Sequence, residues 1–248
     1  MRINVHVLNI YVCNMSCQKL EFCDIISDMD NNTIPRFEGA IFDMDGLMLD
    51  TEQPTIPLWA EAAKHFGKVI DTGTVIRGIG LNGKDTKALF LEECGTDFPY
   101  DEILVEFNRL VEIEFNKGIA LKKGLIRLLD SIAAKGIPLA VATSTRRARA
   151  IEKLQKTGIF SRFDALAGGD EIANGKPAPD IFLLAAERIG KAPSSCIGFE
   201  DSPAGLRGLH AAGIRSVFVK DTVEPPPEIL AAVWRRYADL GEAAELFD

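Results

Sequence analysis

FDMDGLMLDTE, Phe42 to Glu52, is the stretch on which the reading of this chain turns. A short apolar run, Gly39-Ala40-Ile41-Phe42, leads into it, so Asp43 and Asp45 stand at the carboxyl end of an expected strand. Two acids in that setting can divide a phosphoryl transfer between them. One attacks phosphorus and the other, two residues on, moves the proton. An isolated Asp-x-Asp is common in turns. Its weight here comes from three further motifs that follow it in a fitting order.

Outward from that stretch the pattern changes twice. Phe37 to Met44 reads as a core strand buried on both faces. Residues 51–119 then turn helical. Pro57-Leu58-Trp59, Ala62-Ala63 and Phe66 form one stripe closed by Gly67, and a second run extends from about Lys84 to Cys94, capped by Asn82 or Gly83. Tyr100 to Lys117 is the clearest helix, with Ile103, Phe107, Leu110 and Val111 on one face. Beyond Gly118 strands and helices alternate. Strands are expected at Pro138–Ala142, Ala165–Ala167, Cys196–Phe199 and Ser216–Val219. The helices between and after them are Leu125–Ala134, Arg147–Lys156, Pro179–Ile189, Ser202–Ala212 and Pro227–Trp234. Such alternation implies an α/β fold: a doubly wound, Rossmann-like parallel sheet covered on both faces. The division expected is a core of residues 37–50 and 120–248 and an inserted small α-helical cap at 51–119. Residues 1–36 differ in composition and read as an N-terminal extension, with a start at Met29 the favoured alternative.

Composition narrows the class. At 248 residues, 47% hydrophobic and 26% charged, the chain has the make-up of an ordinary soluble globular protein. A formal net charge of −8 argues against nucleic acid or an anionic membrane as partner. No apolar run approaches the roughly 18–20 residues that span a bilayer. Cys13, Cys17 and Cys23 crowd the start, yet their spacing fits no zinc signature, and free thiols in a reducing cytoplasm are expected. A cytoplasmic monomer acting on a small metabolite is the resulting expectation.

Right-handed crossovers place every strand's carboxyl end on one sheet edge. Asp43 follows the first strand and Thr143 the strand Leu139-Ala140-Val141-Ala142. Lys176 lies in Asn174-Gly175-Lys176-Pro177-Ala178-Pro179-Asp180, and Glu200-Asp201 end Cys196-Ile197-Gly198-Phe199. Singly, Thr143 could cap a helix and Lys176 could be a solvated turn residue. Collected on one edge, they suit magnesium-assisted phosphoryl transfer, since Mg²⁺ takes oxygen ligands and lets an anionic nucleophile meet an anionic phosphate.

At these residues the chain resembles the haloacid dehalogenase superfamily, in its β-phosphoglucomutase-like branch with a helical cap. FDMDG, the Thr143 strand end, GKPAPD and FEDSPAG carry the resemblance, which covers roughly Phe37 to the C-terminus. It implies a hydrolase that removes phosphate from a small phosphomonoester, such as a sugar phosphate, through an aspartyl-phosphate on Asp43. Asp45 is then the general acid and base, and Thr143, Ser144 and Lys176 hold the phosphoryl oxygens. Mg²⁺ is bound by Asp43, the Asp45 carbonyl and Asp201, with Glu200 a ligand directly or through water. Gly46 permits close backbone approach to phosphate. Arg77, Asn82 and Lys84, in the loop Arg77–Lys84, face the substrate from the cap. Asp50, Thr51 and Glu52 are assigned to the cap hinge, His65 and His210 to structure, and Arg146 and Arg147 to the start of a helix near the substrate.

Asp45 separates this chain from the family's dehalogenases and phosphonatases, which lack that acid. A catalytically dead binding protein on the same fold is expected to lack Asp43, Asp45 or the metal acids, and all are present. The alternative is a β-phosphoglucomutase-type sugar-phosphate mutase. Mutases of this branch use a cap His and a cap Arg, and the corresponding positions hold Thr55 and Leu81. That departure favours the phosphatase.

Overall fold

The computed structural model describes residues 34–79, 81 and 83–248. Within it, Arg36–Asp248 form one unit. The expectations for Met29, Cys13, Cys17, Cys23 and Asn82 lie outside the described residues.

Strand β1 (Gly39–Phe42) is buried along its whole length. The chain then leaves the sheet for helices α1 (Glu52–His65), α2 (Thr72–Gly78), α3 (Gly83–Cys94) and α4 (Tyr100–Asn116). It returns through α5 (Leu125–Ala134), β2 (Leu139–Ala142), α6 (Arg147–Lys156), β3 (Ala165–Ala167), α7 (Asp180–Arg188) and β4 (Cys196–Glu200). Helix α8 (Pro203–Ala211), β5 (Arg215–Val219), α9 (Pro227–Leu230) and β6 (Arg235–Tyr237) complete the order. All pairings are parallel, in the order β3-β2-β1-β4-β5-β6. The chain steps from β1 to β3 on one side and resumes at β4 on the other, so the order reverses between β1 and β4. Ligands of open α/β sheets bind at that switch, outside the carboxyl ends of the strands.

Alternation along β1 feeds two cores. Ala40 and Phe42 join Leu128, Leu129, Ala150, Leu154 and Phe199 on one face. Ile41 joins Ile181, Phe182, Ala185 and Leu209 on the other. Phe42 stacks on Phe199 with ring centroids 4.6 Å apart, which locks β1 against β4 beside the switch.

The cap has its own core. Trp59 of α1 stacks on Phe107 of α4 at 4.1 Å and meets Phe90 of α3 at 4.7 Å. Burial of this aromatic cluster, with Ala62, Ala63 and Ile103, holds the helices together. Cap and core are joined by two chain crossings that bond to each other. Asp50 N–H donates to Ala120 O at 2.9 Å, and Lys122 N–H donates to Met48 O at 2.9 Å.

Four local expectations need correction. The helix expected over Pro227–Trp234 stops at Leu230, and edge strand β6 follows, begun by Trp234 N–H donating to Ser216 O at 3.0 Å. Arg-Arg-Tyr on a partly exposed edge carries no apolar run to reveal it. Helix α2 was not expected either. Its seven residues are too short to display a period, and it is started by Asp71, whose carboxylate accepts from Thr74 N–H at 3.3 Å. Phe66 caps α1 rather than joining its buried stripe and is 42% exposed. Val111 flanks the apolar seam of α4, along which Tyr100, Ile103, Leu110 and Phe115 are buried and Phe107 packs on Trp59. Among the described residues no helix is long and apolar enough to cross a membrane.

Candidate active site

Asp43 continues the sheet ladder by one bond, its N–H donating to Phe199 O at 3.1 Å, and so its side chain is fixed at the switch and buried. The chain then turns sharply. Met48 and Leu49 N–H both donate to Met44 O at 3.0 Å, and Gly46 takes φ 86°. A Cβ at Gly46 would lie 2.5 Å from Asp201 Oδ2 and 2.9 Å from Glu52 Cδ. Conformation and space therefore both require glycine there.

Lys176 is buried between two carboxylates. Its Nζ donates to Asp43 Oδ1 and to Glu200 Oε1, and it lies 4.9 Å from the centroid of the Phe182 ring. Burial works against the ammonium, but Asp43 and Glu200 outweigh it and raise the pKa of Lys176. Burial pushes the Asp43 carboxyl above its ordinary range while Lys176 pulls it back and Glu200 adds to the rise. Glu200 is fully buried. Its Oε2 accepts from Asp201 N–H and Ser202 N–H at 2.9 Å and from the Ser202 hydroxyl at 3.0 Å. These donors stand at the amino end of α8, where a carboxylate is favoured by the helix dipole. Gly205 makes the approach possible, since a Cβ there would sit 1.7 Å from Glu200 Oε1.

Asp45 is held by a different set. Its Oδ1 accepts from Thr51 Oγ1 at 2.9 Å and Lys153 Nζ at 2.6 Å, and its Oδ2 accepts from Thr145 Oγ1 at 2.7 Å. Burial raises the pKa of this carboxyl, but Lys153 and the two hydroxyls bring it below the ordinary value. Lys153 also lies 5.4 Å from the centroid of the cap's Phe115 ring, so a core helix and a cap helix share it.

A third group of acids gathers beside Gly46. Carboxylate oxygens of Glu52, Asp201 and Asp221 lie within 4.8 Å of one another. Burial, with Glu200, Asp43, Glu52 and Asp221 nearby, pushes the pKa of Asp201 well up. Burial and the same neighbourhood, Asp221 foremost, raise that of Glu52.

A cavity of about 550 Å³ opens over this edge. Asp43, Asp45, Thr143, Ser144, Lys176 and Asp201 all border it, as do Arg146 from the core and Leu81 and Gly83 from the cap. A second cavity of about 330 Å³ extends from Asp45 into the cap, where Ile56, Trp59, Phe90, Phe107 and Phe115 line it. The remaining cap positions differ. Arg77 pairs with Glu93 at 2.9 Å within the cap and borders neither of these two cavities. Lys84 is exposed on the first turn of α3. His65 pairs with Glu106 at 2.8 Å, and Arg147 approaches Glu171 at 3.5 Å.

The haloacid dehalogenase-like hydrolase family matches this chain over residues 40–219. The chain is a haloacid dehalogenase-like hydrolase. Protein CbbY of Rhodobacter capsulatus is 34% identical over 222 residues, which is 84% of this chain and 95% of that protein. The phosphorylated carbohydrates phosphatase of Thermotoga maritima is 31% identical over 185 residues, 73% of this chain and 84% of that one. The crystal structure of CbbY from Rhodobacter sphaeroides in complex with phosphate superposes with a TM-score of 0.71 at 27% identity, covering 83% of this chain and 96% of the other. The hydrolase thus stands with the CbbY- and β-phosphoglucomutase-like phosphatases that carry a helical cap, a family that typically uses Mg²⁺.

Sequence reasoning missed several residues of this hydrolase's site. Lys153 was within reach of it: Ala150, Lys153 and Leu154 share one face of α6, and a cation on a buried stripe is a signal. Thr145 follows Thr143 by two residues and turns back onto it, its N–H donating to Thr143 Oγ1 at 3.1 Å. Thr51 and Glu52, read as hinge residues, both direct their side chains into the site. Asp221 carries only the signal that it comes two residues after the end of β5.

Proposed function

We propose that this hydrolase is a Mg²⁺-dependent phosphatase of small phosphomonoesters, with sugar phosphates the preferred class. The observation that carries the reading is the buried Asp43–Lys176–Glu200 chain beside Thr143 and Asp45 in one cavity at the sheet switch. The relatives named above supply the substrate class.

The Asp43 carboxylate attacks phosphorus as the ester P–O bond breaks, leaving an aspartyl-phosphate. Asp45, which Lys153 holds ionised, must first take up a proton; it gives that proton to the departing oxygen, then takes one from water. The resulting hydroxide attacks phosphorus, the Asp43–phosphorus bond breaks, and inorganic phosphate leaves. Thr143, Ser144 and Lys176 bind the non-bridging oxygens. Lys176 is anchored from behind by Glu200, whose oxygens are all taken by protein donors, so Glu200 positions the lysine rather than reaching a cation itself. Asp201 suits a cation, because its Oδ1 is buried with no hydrogen-bond partner. Asp43 and the Asp45 carbonyl complete that set. Mg²⁺ bound there offsets negative charge where nucleophile and phosphate meet.

Thr55 and Leu81 speak against the mutase. The Thr55 hydroxyl donates to Thr51 O and Glu52 O at 2.9 and 3.0 Å within its own helix, and Leu81 brings no charge to the cavity. The test is a panel of phosphorylated sugars and other small phosphoesters, assayed with Mg²⁺ and with excess EDTA. Phosphate release that needs Mg²⁺ is expected. With β-glucose 1-phosphate and a trace of the 1,6-bisphosphate, phosphorus NMR should show inorganic phosphate. Glucose 6-phosphate forming much faster would establish the mutase instead.

A further inference from the structure

Two carboxylates at this edge have no part in the mechanism above. Glu52 is the first residue of α1 and hence of the cap, while Asp221 belongs to the core segment after β5. Each turns a carboxylate oxygen toward Asp201, within 4.8 Å. Glu52 Oε2, Asp201 Oδ1 and Asp221 Oδ2 are all buried without a hydrogen-bond partner, and Asp201 is only 4% exposed. Unpaired carboxylates packed this closely are unfavourable unless a proton or a cation meets them, and a cation serves all three at once. Gly46 leaves no room for a side chain to intervene. Asp221 is also tied the other way. Its Oδ1 accepts from Lys122 Nζ at 2.5 Å, and Lys122, on the returning chain crossing, lies 3.6 Å from Asp50 on the outgoing one.

We propose that the divalent-cation site extends to Glu52 and Asp221, so that cation binding fastens both chain crossings of the cap to the core edge. Glu52 does so directly from the outgoing crossing. Asp221 does so through Lys122 on the returning one. The inference rests on the reading that Asp201 holds the cation. It makes the metal a clasp on the hinge as well as a participant at phosphorus, and residues outside the four motifs set its affinity. Neighbouring acids of this kind typically change metal affinity about 10- to 100-fold when altered.

The experiment uses the full chain and Mn²⁺, followed by electron paramagnetic resonance, with Mg²⁺ titration calorimetry in parallel. Glu52→Gln and Asp221→Asn should each weaken cation binding about 10-fold or more. Mg²⁺ should slow amide hydrogen exchange across residues 48–53 and 119–123 in the unaltered protein, and Glu52→Gln should remove that protection. Binding by both variants within twofold of the unaltered protein, with Asp201→Asn losing the cation, would overturn the extension and leave the Asp201 site standing. Retention of the cation by Asp201→Asn as well would overturn the underlying reading. Should a variant fail to fold, the unaltered protein still decides: Mg²⁺ binding without slower exchange at the two crossings contradicts the clasp.

Discussion

The sheet edge and the cap are built on opposite terms. At the edge, polar groups are buried and tied to one another: Lys176 spans Asp43 and Glu200, and Glu200 is held by three further donors and by its packing on Gly205. In the cap, the core is apolar with an aromatic cluster at its centre, Trp59 against Phe90 and Phe107. A hydrogen-bonded charge network tolerates little displacement, because each unpaired member is costly in a low-dielectric interior. An aromatic cluster has no hydrogen bonds to lose when a ring shifts. The difference suits a division in which the edge fixes the chemistry and the cap shapes what enters. The two regions meet at Asp45, which borders both cavities and is gripped by Thr51 from the cap's root and by Thr145 and Lys153 from the core.

The largest effect expected is at the edge. Asp43→Asn exchanges the nucleophilic oxygen for a neutral amide and removes one of the two carboxylates on Lys176. Turnover should fall by about 10⁴-fold or more, as for other enzymes that lose a nucleophile. Stability should change far less, because Glu200 still pairs the lysine. Steady-state kinetics with calorimetric melting separates the two. Near-normal turnover would end the mechanism, whereas a collapse of folding would mean that the edge is a structural network first.

That edge was the most legible part of the molecule. Parallel strands buried on both faces are written as short apolar runs, so Leu139–Ala142 and Cys196–Phe199 announce themselves, and the residue after each run falls at the carboxyl edge. What the runs do not contain is the path of the connecting loops. Glu52 and Asp221 are 169 residues apart in number and converge only because α1 starts over the end of β5. No local pattern encodes that meeting. Strand β6 was hidden for the opposite reason: on an open edge Arg235–Tyr237 need not be apolar. In the cap, helix periods located α1, α3 and α4 but not the side chains that reach substrate. The pairing of Arg77 with Glu93 depends on how α2 meets α3, and α2 itself left no period to read.

An intermediate effect is expected from the cap's centre. Trp59→Ala removes the ring on which Phe90 and Phe107 pack and should destabilise the cap by about 3–5 kcal/mol. If the two regions are as separate as their construction suggests, hydrogen exchange should quicken over residues 52–116 while the amides of β1, β2 and β4 keep their protection. KM should rise, since Trp59 also lines the cavity that extends from Asp45. Equal loss of protection in the sheet would show that cap and core unfold as one cooperative unit.

The smallest effect is also the sharpest probe of the division. Leu81 stands at the mouth of the larger cavity, 37% exposed, and its N–H donates to Gly78 O at 3.2 Å. Its backbone therefore keeps its turn whatever the side chain. Leu81→Ala removes an apolar group that is only partly buried, so stability should shift by no more than a few tenths of a kcal/mol. A substrate seated in the cavity would cover the same group. Losing its contact should raise KM a few-fold, about 1 kcal/mol of binding, and leave kcat at the edge untouched. The result should depend on the substrate: the larger its carbon skeleton, the greater the rise. A fall in kcat at constant KM would instead place Leu81 in the closed site during the chemical step, excluding water from phosphorus, and the line between a fixed edge and a selecting cap would have to be drawn elsewhere.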